Sequence, residues 1–322
     1  MQDIVYVTAP FFALVLCGYL AARQKVLPES AIPGLNGFVL YFALPCMLFR
    51  FGASMPVADL LSPVLIGLWL VSALVMVGFT VVATRGPRVH LKDAAFGALV
   101  AAFPNTGFMG VPLLVALLGP AAAGPAISTI LVDIFITSSL CIGLAQAHDA
   151  SGQGARQAVA RALRGALGNP LPWAIAVGAV SSASGLVLWA PVDAVVKMLA
   201  DAASPVALFT IGAVLWRAGE HAHARTPPSL YLPIAAVKLV VHPLLVLALA
   251  AASAALGAPI SGLQILVLTL VAALPSASNV SLLAERYGAD NGRVARIIMA
   301  STVAAFGTFP ALVWMLGPMV RS

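Results

Sequence analysis

Two short runs place hydrogen-bonding side chains where an apolar chain should have none. The first, Pro104-Asn105-Thr106-Gly107-Phe108-Met109-Gly110-Val111-Pro112, sets an amide and a hydroxyl directly behind a proline. The second, Leu274-Pro275-Ser276-Ala277-Ser278-Asn279-Val280, sets two hydroxyls and an amide behind another. Proline lacks a backbone donor and clashes with the preceding turn, so a helix must break near Pro104 and near Pro275. In lipid, an open backbone is tolerated only where protein covers it or a cavity receives it. A half-helix restarting after each break aims unpaired amides and the positive end of its dipole at that place, which favours an anion. Pro104, Asn105, Thr106, Pro275, Ser276, Ser278 and Asn279 are therefore the candidate binding residues, and the chemistry is non-covalent. The alternative is that these polar side chains only satisfy backbone groups freed by the two prolines. Asn105 follows its proline directly, whereas Asn279 stands four residues after its own.

A second set of groups is ionisable. Asp133, Asp201, Lys238 and His242 fall inside apolar stretches, where such groups are costly and need a reason. Lys238 and His242 are four apart and share one helix face. One reading is an internal ion pair, such as Asp133 with Lys238, that neutralises buried charge. The other is that Asp133, Lys238 or His242 gains and loses a proton during a working cycle, forming a coupling network. Arg50 could snorkel to an interface or attract anions to an outer vestibule. Neither broken run contains a carboxylate, which favours proton coupling or uncoupled movement over a dedicated sodium site. His221 and His223 have no further ligand cluster, so no metal site is expected, and no cofactor is implied. No Ser, Cys or paired acid stands at a nucleophile spacing to His242, and no glycine-rich phosphate loop is present. An enzyme and an ATP-driven pump are both excluded on these grounds.

The elements that position these residues follow from composition. The 322 residues are 61% hydrophobic and 9% charged, with mean hydropathy +1.02; soluble chains carry about 25% charged residues. Apolar segments of about 20 residues recur from end to end, so the class is a polytopic α-helical membrane protein, not a β-barrel of short alternating strands. The net charge of +6 would suggest nucleic acid in a soluble protein. Here the basic residues sit in short loops and report topology instead. Cys17, Cys46 and Cys141 lie in apolar spans without ligand spacing and read as reduced packing residues. Met1-Gln2-Asp3 precede the first span and Arg23 and Lys25 follow it, the reverse of a cleaved signal.

Ten spans are expected, at roughly 4–22, 34–53, 62–84, 93–117, 123–146, 170–188, 193–217, 229–256, 260–287 and 293–318. Odd-numbered connections hold Arg23, Lys25, Arg85, Arg88, Lys92, Arg156, Arg161, Arg164, Arg217, Arg225, Arg286, Arg293 and Arg296. The opposite side holds Arg50, Lys197 and Arg321. That asymmetry puts the odd loops in the cytoplasm and both termini outside. A Gly/Ala/Arg-rich stretch at 147–169 divides two sets of five spans, 1–146 and 170–322. Proline landmarks recur between them: Pro10 with Pro170 and Leu44-Pro45 with Ser204-Pro205 at an offset of 160, and Pro104 with Pro275 at 171. Five is odd, so the copies insert in opposite senses, and inverted repeats place a site near the midplane.

The Pro104–Pro112 run, Asn169-Pro170, Lys238 with His242-Pro243, Leu274-Pro275 through Glu285-Arg286-Tyr287-Gly288, Ser301-Thr302 and Phe309-Pro310 together resemble the auxin efflux carrier family. The chain is similar to the compact bacterial branch described as malonate or malate transporters. The resemblance implies an all-α, bile acid/sodium symporter-like (PIN-like) fold of two inverted five-helix repeats. Spans one, two, six and seven would form a scaffold, possible seat of a homodimer. Spans three to five and eight to ten would form a transport domain whose fourth and ninth spans cross at their breaks. It further implies an inner-membrane secondary transporter of small organic anions with elevator-type motion, and Asn105 as a substrate contact. A non-transporting sensor of the same fold is the alternative.

Overall fold

Leu-, Val-, Ala- and Ile-rich runs satisfy their backbone polar groups in lipid only by closing them internally, and this chain does so with helices. The computed structural model describes residues 2–56, 61–147, 167–220 and 226–317. Most of the 147–169 stretch, with Arg156, Arg161 and Arg164, lies outside the described residues, as do His221, His223, Arg225 and Arg321.

The helices are α1 (Gln2–Arg23), α2 (Ala31–Ser54), α3 (Pro63–Thr84), α4 (Leu91–Ala102), α5 (Thr106–Leu118) and α6 (Pro120–Gln146). They continue as α7 (Pro170–Ser184), α8 (Ala190–Glu220), α9 (Leu232–Ala255), α10 (Gly262–Ala272), α11 (Val280–Arg286) and α12 (Asn291–Met315). Among the described residues there is no strand, and seven helices are long and apolar enough to cross a membrane. These are α1, α2, α3, α6, α8, α9 and α12, and they make the chain a multi-pass membrane protein. Large apolar side chains such as Leu20, Phe79, Val180 and Trp314 lie on the outer surface, where lipid replaces water as their solvent.

Local chemistry sets the ends. Asn169 accepts from the Leu171 amide ahead of Pro170, the first residue of α7, and Gly185 closes that helix at φ 65°. Ser261 and Gln264 form a reciprocal capping box that starts α10. Four helices contain a wide five-residue π turn: Val39–Ala43, Thr106–Gly110, Asp133–Thr137 and Val237–Val241. Such turns collect at functional sites, and three of the four carry or follow a residue singled out above.

Backbone-to-backbone packing joins α1 to α8 and α2 to α7. A side chain at Gly18 would overlap the Phe209 carbonyl, and one at Gly212 the Val15 carbonyl. The other pair repeats this: Gly178 faces the Phe49 carbonyl and Gly52 the Ile175 carbonyl. Each of these contacts is the first with its partners exchanged and shifted by 160 positions. Small residues let helix backbones approach this closely in lipid, where van der Waals packing carries much of the association.

Candidate functional site: the crossing of two broken helices

The chain breaks after Ala102 and again after Ala272, and the two breaks meet. Asn105 N donates to the Pro275 carbonyl at 2.8 Å, and Ala277 N donates to the Phe103 carbonyl at 3.0 Å. Pro104 and Ser276 thus form an isolated antiparallel bridge in the middle of the protein. Ser276 N donates to Ser301 Oγ at 3.2 Å, and Thr106 N donates to the Pro104 carbonyl at 2.8 Å. The Asn105 carbonyl accepts from Met109 N at 3.1 Å and Gly110 N at 3.0 Å, which starts α5. Gly110 permits the approach, because a Cβ there would overlap Leu274 Cδ1.

This pairing bears on what the polar side chains are for. Backbone groups around the breaks bond to one another and to Ser301, so the side chains are not consumed in that task. Asn105 and Asn279 occupy the residue before a helix start, yet neither side chain caps it. Asn105 is 2% exposed, Thr106 and Ser276 are as deeply buried, and Ser278 is buried beside them. Asn105 Oδ1, Thr106 Oγ1, Ser276 Oγ and Asn279 Oδ1 have no hydrogen-bond partner. Buried polar atoms are normally paired, and an unpaired one costs about 1–3 kcal/mol. Pro104 and Pro275 are buried at the same place.

A cavity reaches the second break at Ser278 and Asn279. A vestibule of about 710 Å³ is lined by Glu29, Asn36, Tyr41, Arg217, Glu285 and Asn291 among others. It continues into a neck of about 10 Å³ walled by Asn36, Val214, Arg217, Ser278, Asn279 and Ser281. Ser281 Oγ donates to Asn291 Oδ1 at 2.6 Å on that wall. The vestibule lies at the end of the molecule where α1, α8 and α11 finish with Arg23, Arg217 and Arg286.

The ionisable residues separate into a buried chain and surface pairs. Lys238, fully buried, donates from Nζ to the Ala272 carbonyl at 2.6 Å and lies 3.1 Å from His242 Nδ1. The His242 ring sits 5.3 Å from that of Trp69, and Trp69 Nε1 donates to Asp133 Oδ1 at 3.0 Å. Thr137 Oγ1 donates to the same carboxylate oxygen at 3.1 Å. The expected Asp133–Lys238 ion pair is therefore not made directly; Trp69 and His242, whose rings are in contact, lie between the two side chains. His242 Nε2 and Asp133 Oδ2 have no partner. Asp201 does not join this chain. It pairs with Lys197 at 2.7 Å on the surface of α8, its side chain 63% exposed. Arg50 Nη1 bonds Asp193 Oδ1 at 2.7 Å, tying α2 to α8.

Four contributors were not legible as site residues. Ser301 stands in α12 and meets Ser276 only through the fold. Trp69 is one aromatic in an apolar helix, and nothing in its neighbourhood marks the bond to Asp133. Arg217 reads as a topological charge until the vestibule is visible. Arg293, also counted as a loop charge, is buried: Nε donates to the Leu230 carbonyl at 2.9 Å and Nη1 to the Asp93 carbonyl at 3.0 Å. Together with Asp290 N donating to Asp93 Oδ1 at 2.8 Å, it locks the starts of α4 and α12.

A family model described as membrane transport protein matches residues 3–315. A Rhizobium meliloti (strain 1021) protein named "Putative malonate transporter" is 29% identical over 98% of this chain and 97% of its own length. An Escherichia coli (strain K12) protein named "Uncharacterized transporter YfdV" is 30% identical over 64% of this chain and 67% of its own. "Auxin efflux carrier component 8" of Arabidopsis thaliana is 29% identical over 44% of this chain and 38% of its own length.

Proposed function

The chain belongs to the auxin efflux carrier family of membrane transport proteins, and from that premise we propose that it carries small organic anions, of the malonate and malate class, through the crossing of its broken helices. The observation that carries this reading is the group of four unpartnered polar atoms on Asn105, Thr106, Ser276 and Asn279, buried at the crossing, where Asn279 also lines the neck of the vestibule. Half-helix amides and dipoles add positive potential there without a formal charge, so a carboxylate would be held by directed hydrogen bonds. The similarity to the Rhizobium protein, whose name specifies malonate, supports the dicarboxylate class.

In this reading the seven long helices, α7, and the broken pairs α4–α5 and α10–α11 make ten spans in two inverted repeats. The recurrence of the glycine contacts at an offset of 160 supports it. The scaffold is α1, α2, α7 and α8, held by those backbone contacts; α3–α6 and α9–α12 move against it as an elevator. With basic loops inside, the vestibule opens to the cytoplasm, both termini are outside, and the chain sits in a cell (inner) membrane.

The Asp133–Trp69–His242–Lys238 chain is the proton-coupling element of the proposal. It ends on the last carbonyl of α10, so the charge state of Lys238 acts on the half-helix that forms the site.

The test is flux of labelled malonate into proteoliposomes of the full chain, with and without a proton gradient. Saturable uptake accelerated by the gradient is expected. Binding without flux would mark a sensor, and neither binding nor flux would refute the reading.

A further inference from the structure

We infer that Arg217 binds the second carboxylate of the substrate, so that the site selects dicarboxylates over monocarboxylates at its vestibule-facing stage. This rests on the transport reading above and adds to it a residue and a selectivity.

The crossing supplies only uncharged groups: Asn105, Thr106, Ser276, Asn279 and backbone amides. One carboxylate fits such a site. A second carboxylate left in a low-dielectric neck needs a counter-charge close by, since a buried unpaired charge is costly. Arg217 is the charged residue lining the neck, on the same narrow passage as Ser278 and Asn279. Val214 precedes it by three positions and lines both neck and vestibule with it, so this face of α8 is the cavity wall. Arg217 is partly buried, whereas Arg23, Lys25 and Arg85, which share its topological role, are exposed. Arg217 lines the vestibule together with Glu29 and Glu285, and it also lines the neck, which neither of those acids does. A planar guanidinium grips a carboxylate through two parallel N–H donors, which a lysine cannot reproduce.

Arg217 lies on α8, in the scaffold, and Asn279 lies at the start of α11, in the moving part. The two therefore face one substrate only while the site opens to the vestibule. Its contribution is one-sided, affecting affinity from that side and not from the other.

Malonate and propionate have the same carbon count and differ in the second carboxylate, so they make the comparison. With the full chain in oriented proteoliposomes, the wild type should prefer malonate from the vestibule side. Arg217→Gln should lower kcat/KM for malonate by about tenfold or more on that side and change propionate by no more than about twofold. Malonate affinity from the opposite side should hold. Arg217→Lys, which keeps the charge and loses the fork, should show an intermediate preference; it also serves if Arg217→Gln fails to insert. Equal losses for both acids, an unchanged ratio in either variant, or a wild type that carries propionate as well as malonate would overturn the inference while leaving transport intact. A wild type that carries neither acid would overturn both.

Discussion

Lys238 Nζ donates to the Ala272 carbonyl at 2.6 Å, which places its amino group on the open C-terminal end of the α10 half-helix. That end carries the negative pole of the helix dipole and has no further turn to bond to. The Lys238 amino group also contacts His242, and beyond it Trp69 leads to Asp133 on α6. This run of contacts ends at the last carbonyl of α10, just before the break at Pro275.

Asp133→Asn keeps an oxygen to accept from Trp69 and removes the charge. Malonate exchange should persist while acceleration by an imposed proton gradient is lost, read as uptake with and without that gradient. Gradient-driven uptake equal to wild type would remove Asp133 from the coupling path. Lys238→Met, which leaves the Ala272 carbonyl unpaired, should cost about 1–3 kcal/mol of stability in a melt of detergent-purified protein.

Gly212→Ala and Gly178→Ala push a methyl group into a neighbouring backbone, at Val15 and Phe49 respectively. Backbone cannot move aside as a side-chain tip can, so each should destabilise by about 1–3 kcal/mol. Gly67→Ala, with open space around it on α3, is the control and should be neutral or slightly stabilising. Thermal unfolding of the three variants would show the split.

At Gly110 the obstacle is the tip of the Leu274 side chain. Gly110→Ala should reduce malonate uptake several-fold, and adding Leu274→Ala should restore part of it. A double variant no better than the single one would mean that closeness at the crossing is not what the glycine provides.

The two arginine contacts differ in kind. Arg293→Gln breaks a buried clamp between α4, α12 and the approach to α9, and should cost about 2–3 kcal/mol. Arg50→Gln breaks a half-exposed pair with Asp193 and should cost less than about 1 kcal/mol. Parallel melts of the two variants test that ranking.

Much of this arrangement could be read from residue types, because proline and lipid each leave few options. Pro104 and Pro275 dictate breaks wherever the surrounding chain is apolar, and α4–α5 and α10–α11 break there. Lys238 and His242 show as buried neighbours from their spacing alone. What could not be read was pairing across distance. The Trp69 bond to Asp133 spans 64 positions and the Arg293 bond to Asp93 spans 200, and neither residue type declares such a partner. Arg217 and Arg293 looked alike as loop charges; their roles separate only once the neck and the Asp93 carbonyl are in place. The side chains of Asn105 and Asn279 could equally have capped their helices, and only the backbone bridge between Pro104 and Ser276 shows what they were not needed for.

The central claim is that the crossing holds the anion through side chains the backbone does not use, and Asn105 tests it most directly. Asn105 is buried, its backbone amide bonds Pro275, and its side-chain oxygen bonds nothing. The decisive measurement is the malonate affinity of purified Asn105→Ala by calorimetric titration, beside its melting temperature. The account predicts affinity weaker by about tenfold or more, with a melting temperature close to wild type, because the Pro275 bond is kept. Wild-type affinity in a folded Asn105→Ala protein would contradict it.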